Sequence, residues 1–333
     1  MKKLFPLLML IVVFGSCQTK SGNSTPKNSD KGEIKYSGNP LFEEPFTADP
    51  SVLVHNDTLY LFTGSDEQAE GVDGFLMNKW YIFSTTDMVN WTNHGSKLSV
   101  DDFEWGSHNA FAGDIVENNG RFWWYVPIVH KDPATRVNEG FAMGVAVADH
   151  PTGPYHDPVG EALIMDTTTN SIPLNIDPIV FVDDDGEVYF FWGSWNEVRM
   201  VKLKENMMEL DGLVQNVEGL TNFFEAPYVH KRGDTYYMSY AAGYPSRTEY
   251  ATSKSITGPW DHQGVIHDTI PNSPTNHQAI VNFKGNDYFI YHTAGLENGG
   301  PFRRSICIDK LEYDENGMIK KVVRTEKGVP MIE

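Results

Sequence analysis

Apolar and polar positions along the chain seldom follow a helical period; short alternating or continuous apolar runs, punctuated by Gly, Asn and Asp, recur instead, and this predicts an all-β fold. The stretch NIDPIVFVDDDGEVYFFWGS, residues 175–194, shows the unit most plainly. Asp177-Pro178 opens a β-branched and aromatic run, Asp-Asp-Asp-Gly supplies a turn, and a second aromatic run follows, which is the signature of a β-hairpin. The same pattern begins at Ala48 (ADPSVLVHNDTLYLFTGS), Phe111 (FAGDIVENNGRFWWYVPI), Phe224 (FEAPYVHKRGDTYYMSYAAG) and Asn276 (NHQAIVNFKGNDYFIYHTAG).

Each hairpin is followed by another pair of strand-like segments, WYIFSTTDMVNWT after the first and TEYATSKSITGPWDHQG after the fourth. Five units of roughly 50–65 residues, four strands in each, predict a five-bladed β-propeller with four-stranded blades over residues 39–333. A β-sandwich also alternates, but it offers no reason for one opening motif to recur five times. Aligning the hairpins on their aromatic strands places Asp49, Ala112, Asp177, Glu225 and His277 in one register. Innermost strands line the axis of a propeller, so three carboxylates and an imidazole are expected to meet in one pocket.

Composition narrows the partners. With a formal charge of -19 the chain is unsuited to nucleic acid, whose phosphates it would repel, and neutral or cationic ligands fit better. Residues 1–17 have a basic start at Lys2 and Lys3, a short apolar run and small residues before Cys17, the plan of an export signal. The FGSC ending resembles the lipobox of bacterial lipoproteins, which implies lipidation at Cys17 and a membrane-anchored protein on the periplasmic or cell-surface side. Residues 18–38, rich in Ser, Asn, Lys and Gly, read as a flexible tether. Only Cys307 remains beyond Cys17, so no disulfide forms within the mature chain.

Clustered carboxylates raise one another's pKa and are tolerated chiefly where the shifted groups are used. Two carboxyl groups facing across a pocket are what glycoside hydrolysis requires: one protonates the leaving oxygen, the other activates water or attacks the anomeric carbon. Phe46, Trp105 and Phe111 are candidates to pack on sugar faces, and Arg304 either reaches substrate hydroxyls or balances the acids.

In their order and spacing, the strings ADPS around Asp49, NIDPIVFVDDDG around Asp177, FFEAPY around Glu225, NHQAIV around His277 and FRRSICID around Arg304 resemble glycoside hydrolase family 43. That resemblance implies an inverting exo-glycosidase on terminal pentosides, a β-xylosidase or α-L-arabinofuranosidase acting on plant oligosaccharides or polysaccharides. Asp49 would be the general base, Glu225 the general acid, and Asp177 the acid that tunes and orients Glu225. It also implies a calcium ion in the central channel beside His277, and no organic cofactor. Phe111-Ala112-Gly113-Asp114 stands where many members have Trp-Ala-Pro-Asp. Alternatives are a galactosidase or galactofuranosidase of the same family, a retaining fructan-cleaving relative, and a non-catalytic glycan-binding lipoprotein.

Overall fold

The computed structural model describes residues 32–332 apart from 69, 70 and 72. The export signal and Cys17 therefore lie outside the described residues. Blade 1 comprises β1 (Gly32–Lys35), β2 (Thr47–His55), β3 (Thr58–Ser65), β4 (Lys79–Thr85) and β5 (Asn90–Ser99). Blade 2 holds β6 (Gly106–His108), β7 (Asp114–Asn118), β8 (Arg121–His130) and β9 (Phe141–Ala148). In blade 3 the strands are β10 (Ile179–Val182), β11 (Val188–Ser194), β12 (Glu197–Leu203) and β13 (Leu210–Asn216); in blade 4 they are β14 (Phe223–Arg232), β15 (Thr235–Ala242), β16 (Arg247–Ser253) and β17 (Asp261–His267). Blade 5 has β18 (Gln278–Phe283), β19 (Asn286–Thr293) and β20 (Ser305–Leu311). Pairing within every blade is antiparallel. The inner strands touch in the cyclic order β2, β7, β10, β14, β18 and back to β2, so the five-bladed propeller expected from the repeat is the fold.

The apolar runs look continuous because each sheet is covered on both faces. Along β11, Phe190 and Trp192 enter the core shared with blade 2, while Tyr189 and Phe191 enter the core shared with blade 4. Burying one such ring contributes about 1.5–3 kcal/mol. A polar residue at Phe190 or Phe191, both without solvent exposure, would therefore open one inter-blade seam.

The ring closes through the N-terminal segment. Leu41 and Thr47 donate backbone hydrogen bonds to Ile306 and Arg304 at the free edge of β20, and the Asn39 side chain pairs with the Ile308 backbone in both directions. Chain before β2 thus completes the outer edge of blade 5. Gly32–Lys35, expected within the tether, instead pairs with β5 as β1, with Ile34 packed on the seam between blades 5 and 1. Backbone pairing plus one apolar contact is enough to bring this polar segment onto the sheet edge.

Candidate active site

Antiparallel pairing puts the start of each inner strand, the turn between second and third strands, and the end of the fourth strand at one end of the propeller. The pocket there is about 390 Å³ with its open mouth and is lined by Asp49, Asp177, Glu225, His277, Arg304 and Phe111, all expected from sequence, together with Phe75, Met77, Ala112, Ile176, Thr275 and Asn276.

Backbone irregularities aim the acids. In β2, Asp49 and Pro50 together oppose Thr63, a β-bulge that turns Asp49 toward the axis with φ +55°. Asp177, just ahead of β10, has φ +57°. In blade 4 the equivalent conformation, φ +56°, falls on Ala226 rather than Glu225. All three left-handed residues precede a proline: Pro50, Pro178 and Pro227. The single register expected from sequence is therefore corrected: Glu225 stands one position earlier, brought round by irregular pairing on either side of it in β14. Left-handed backbone at non-glycine residues is costly and concentrates at functional sites.

Arg304 is 2% exposed and organises the acids. Its Nη1 and Nη2 donate to the two oxygens of Asp49 at 3.1 and 3.2 Å, Nε and Nη2 to Asp66 at 2.8 and 3.0 Å, and Nη1 also to Thr275 Oγ1 at 3.0 Å. Of the two roles open to Arg304 in the sequence, the structure shows charge balancing; its donors are taken up inside the protein rather than offered to substrate. Asp66, fully buried after β3, and His292 of β19, whose Nδ1 is 3.3 Å from Asp49 Oδ1, were not identified from sequence. Asp66 falls just past the first hairpin and His292 near the end of the fifth, and the closed ring brings both to Arg304 and Asp49 together.

Burial pushes the Asp49 carboxyl upward, but the Arg304 charge and the His292 contact outweigh it and hold the group well below the usual carboxylate range. Glu225 is pushed up to about 7, first by burial and then by the charge of Asp49, with Arg304 opposing. Asp177 is also raised well above its ordinary value by burial and by repulsion from Glu225 and Asp49. Its Oδ2 accepts the Ala226 N–H at 2.9 Å, which ties it to the peptide next to Glu225. One pocket therefore holds a carboxylate kept ionised and another that keeps its proton up to about pH 7, the division of labour needed for paired acid and base chemistry.

Burial lowers His277 to about 4, against the pull of Asp49, so its ring is neutral at neutral pH. Its Nδ1 stands 4.0 Å from both Asp49 Oδ1 and Asp177 Oδ2. Calcium takes six to eight oxygen ligands. Both Asp49 oxygens are engaged by Arg304, and among the described residues no three His, Cys, Asp or Glu side chains converge to hold a metal. The side chains around His277 thus do not make a calcium cage by themselves.

The aromatic expectations divide. Phe111 lines the pocket, packed on Phe75 and Phe141 with centroids at 5.7 and 4.7 Å, and Phe75 also meets Phe302 at 4.6 Å. Trp105 is corrected: it is 2% exposed in the core between blades 1 and 2, stacked on His130 and bonded through Nε1 to Asp157. Phe46 is corrected as well, since it carries the Arg303 guanidinium at 4.3 Å and is not among the pocket-lining residues. Asp114 binds the Ser51 hydroxyl and the Val180 N–H, joining blades 1, 2 and 3. Asn276 is fully buried in the pocket wall, and among the described residues neither of its amide atoms has a hydrogen-bond partner.

Comparison with known proteins agrees with this geometry. The sequence model of glycosyl hydrolases family 43 matches residues 37–319. A xylosidase/arabinosidase of Bacteroides ovatus is 31% identical, the alignment covering 87% of this chain and 97% of the relative. An arabinoxylan arabinofuranohydrolase of Bacillus subtilis is 29% identical over 99% of this chain and 73% of the relative. Among solved structures, a β-xylosidase/α-arabinofuranosidase from a compost metagenome, in complex with xylotriose and calcium-free, superposes with a TM-score of 0.77 at 26% identity, covering 87% of this chain and 98% of that one. An α-L-arabinofuranosidase from Clostridium thermocellum gives a TM-score of 0.72 at 34% identity, covering 87% and 98%. With the five-bladed fold, the acid pocket and the family match in agreement, the chain belongs to glycosyl hydrolases family 43 and is a glycoside hydrolase.

Proposed function

We propose that the protein is an inverting exo-glycosidase that removes terminal pentosyl residues, β-D-xylosyl or α-L-arabinofuranosyl, from plant oligosaccharides. The observation that carries this reading is the opposed displacement of Asp49 and Glu225 in one pocket, ionised and protonated respectively. Glu225 gives its proton to the glycosidic oxygen as the bond from that oxygen to the anomeric carbon breaks. Asp49 takes a proton from a water that attacks the opposite face of the same carbon, so the configuration inverts. Asp177 holds the backbone beside Glu225 through the Ala226 N–H, and the charge of Asp49 together with burial keeps Glu225 raised. Phe111 and Phe75 offer apolar faces to the sugar ring. The names of the relatives support the pentoside class, and the near-neutral pocket, with Arg304 already paired, suits an uncharged sugar.

The test is hydrolysis by the purified protein of nitrophenyl β-D-xyloside, α-L-arabinofuranoside and galactosides, followed by proton NMR of the first product. Release of an inverted pentose is expected. Preference for a galactoside would replace the substrate, a retained anomer would overturn the mechanism, and inactivity on all of them would overturn the assignment. Running the screen with and without a chelator tests calcium: a loss restored by added calcium supports an ion held beside His277 largely through water, and an unchanged rate refutes it. Export with a lipid anchor at Cys17 is part of the same proposal. It rests on residues 1–17, and retention of an acyl label by the native chain but not by Cys17→Ser would support it.

A further inference from the structure

In β14 Glu225 opposes Ala241 and Tyr228 opposes Ser239, so Ala226 and Pro227 together face Tyr240. This bulge takes Ala226 out of the regular ladder, and Pro227 has no N–H to give. Ala226 has no solvent exposure and a left-handed φ of +56°. Its buried peptide groups must therefore find other partners, and both come from neighbouring blades. The Ala226 N–H donates to Asp177 Oδ2 on the blade 3 side at 2.9 Å, and the Ala226 carbonyl accepts from Gln278 Nε2 of blade 5 at 3.0 Å.

These two bonds grip successive peptide planes. The first holds the plane shared by Glu225 and Ala226, the second the plane shared by Ala226 and Pro227, and between them they fix φ and ψ at Ala226. A left-handed alanine is disfavoured by its own Cβ, so the conformation persists only where the surroundings impose it. Gln278 is held in turn: it has no solvent exposure, and its Nε2 also donates to Ser239 Oγ at 3.2 Å. Two residues further along both strands, the Tyr228 hydroxyl donates to the Ile280 carbonyl at 3.0 Å, which keeps β14 and β18 in step. Because a carbonyl only accepts, the amide nitrogen of Gln278 must face Ala226. The amide oxygen has no partner among the described residues, a destabilising arrangement that an apolar side chain of similar size would avoid.

Gln278 follows Asn276 and His277, which line the pocket, but is not itself a lining residue. We propose that Gln278 is a positioning residue for the proton donor: by holding the Ala226–Pro227 peptide it keeps the left-handed turn that aims the Glu225 carboxyl at the leaving oxygen, without touching substrate. Released from that hold, the peptide relaxes toward ordinary strand geometry and the carboxyl swings away from the bond it protonates. A displacement of about 1 Å is enough to cost about 10²-fold in rate. The proposal rests on the glycosidase reading with Glu225 as the acid.

The test is Gln278→Met in the full chain, which keeps the side-chain length and deletes the donor. Two substrates share the terminal sugar that the nitrophenyl screen selects: its nitrophenyl glycoside, whose leaving group needs little protonation, and an oligosaccharide, whose leaving group must be protonated. On the oligosaccharide, kcat should fall about 10- to 100-fold with KM changed by less than about twofold, and the fall on the nitrophenyl glycoside should be at least about fivefold smaller. Equal falls would mark a general loosening of the core, a rise in KM alone would mark contact with substrate, and no change would mark an idle amide; each overturns the proposal. If urea unfolding shows that Gln278→Met does not fold, Ser239→Ala replaces it: loss of the amide's second anchor should give the same split at about 2- to 10-fold, and no split overturns the proposal. Glu225→Gln measured alongside separates the two readings. A split there with none at Gln278→Met overturns the positioning role alone; equal losses there remove Glu225 as the acid and the role of Gln278 with it.

Discussion

Replacing Arg304 with methionine tests the electrostatic argument directly, because it keeps much of the buried length and deletes the charge. Arg304 donates to both oxygens of Asp49 and both of Asp66, and all three residues are buried. Removing one partner of a buried ion pair costs about 3–5 kcal/mol, since the charge left behind is uncompensated. Protonation sets a ceiling for each stranded carboxyl. From an unfolded pKa of about 3.9, at roughly 1.36 kcal/mol per pH unit, the most that can be lost at pH 7 before the group neutralises is about 4 kcal/mol. A loss of about 3–5 kcal/mol at pH 7 is therefore expected.

The pH dependence carries the sharper test. In the native protein the folded pKa of Asp49 is depressed, so its contribution is fully present above its unfolded pKa and is lost only as pH falls through the folded one. In Arg304→Met, burial, already the largest influence on Asp49, is opposed only by His292 and His277. The folded pKa then lies above the unfolded one, and the penalty grows as pH rises from about 4 toward 7. Urea unfolding of native and variant protein should show a stability gap smaller at pH 5 than at pH 7 by about 1–3 kcal/mol. A gap independent of pH, or under about 1 kcal/mol at pH 7, would refute the reasoning.

Activity on a pentoside should decline on the alkaline side with an apparent pKa near 7, since Glu225 loses the proton it must donate as pH rises through about 7; Asp49, held ionised, should impose no acid limb in the ordinary assay range, and a profile flat from pH 5 to pH 9 would contradict this. Glu225→Gln should lower kcat/KM on an oligosaccharide by about 10²- to 10⁴-fold and much less on a nitrophenyl pentoside, whose leaving group needs little protonation; equal losses would remove Glu225 as the acid. Trp105→Ala should cost about 3–5 kcal/mol in thermal or urea unfolding with KM of the folded fraction unaffected, as expected of a core ring. Phe111→Ala should instead raise KM, and if it is Trp105 that moves KM the placement of the two rings is wrong.

The repeat of an apolar strand, an Asn/Asp/Gly turn and an aromatic strand, led by proline in three of its five copies, was enough to determine the propeller, its five blades and the meeting of Asp49, Asp177 and Glu225. Strand alternation and turn chemistry are local, and a motif recurring five times in one chain can only be satisfied by a closed ring. The one-residue offset of Glu225 was also within reach, because Ala226-Pro227 aligns with Asp49-Pro50 and Asp177-Pro178. Tertiary structure alone decided what surrounds the acids. Asp66, His292 and Arg304 come from blades 1 and 5, up to 238 residues apart, and meet only because the segment before β2 closes the ring along β20. Burial then raised Glu225 and Asp177 while Arg304 and His292 held Asp49 down against it, a distinction that depends on neighbours far away in the sequence. Whether an aromatic faces substrate or core depends in the same way on which neighbouring blade covers it: Trp105 is closed over by blades 1 and 2, and Phe111, a few residues later, lines the pocket.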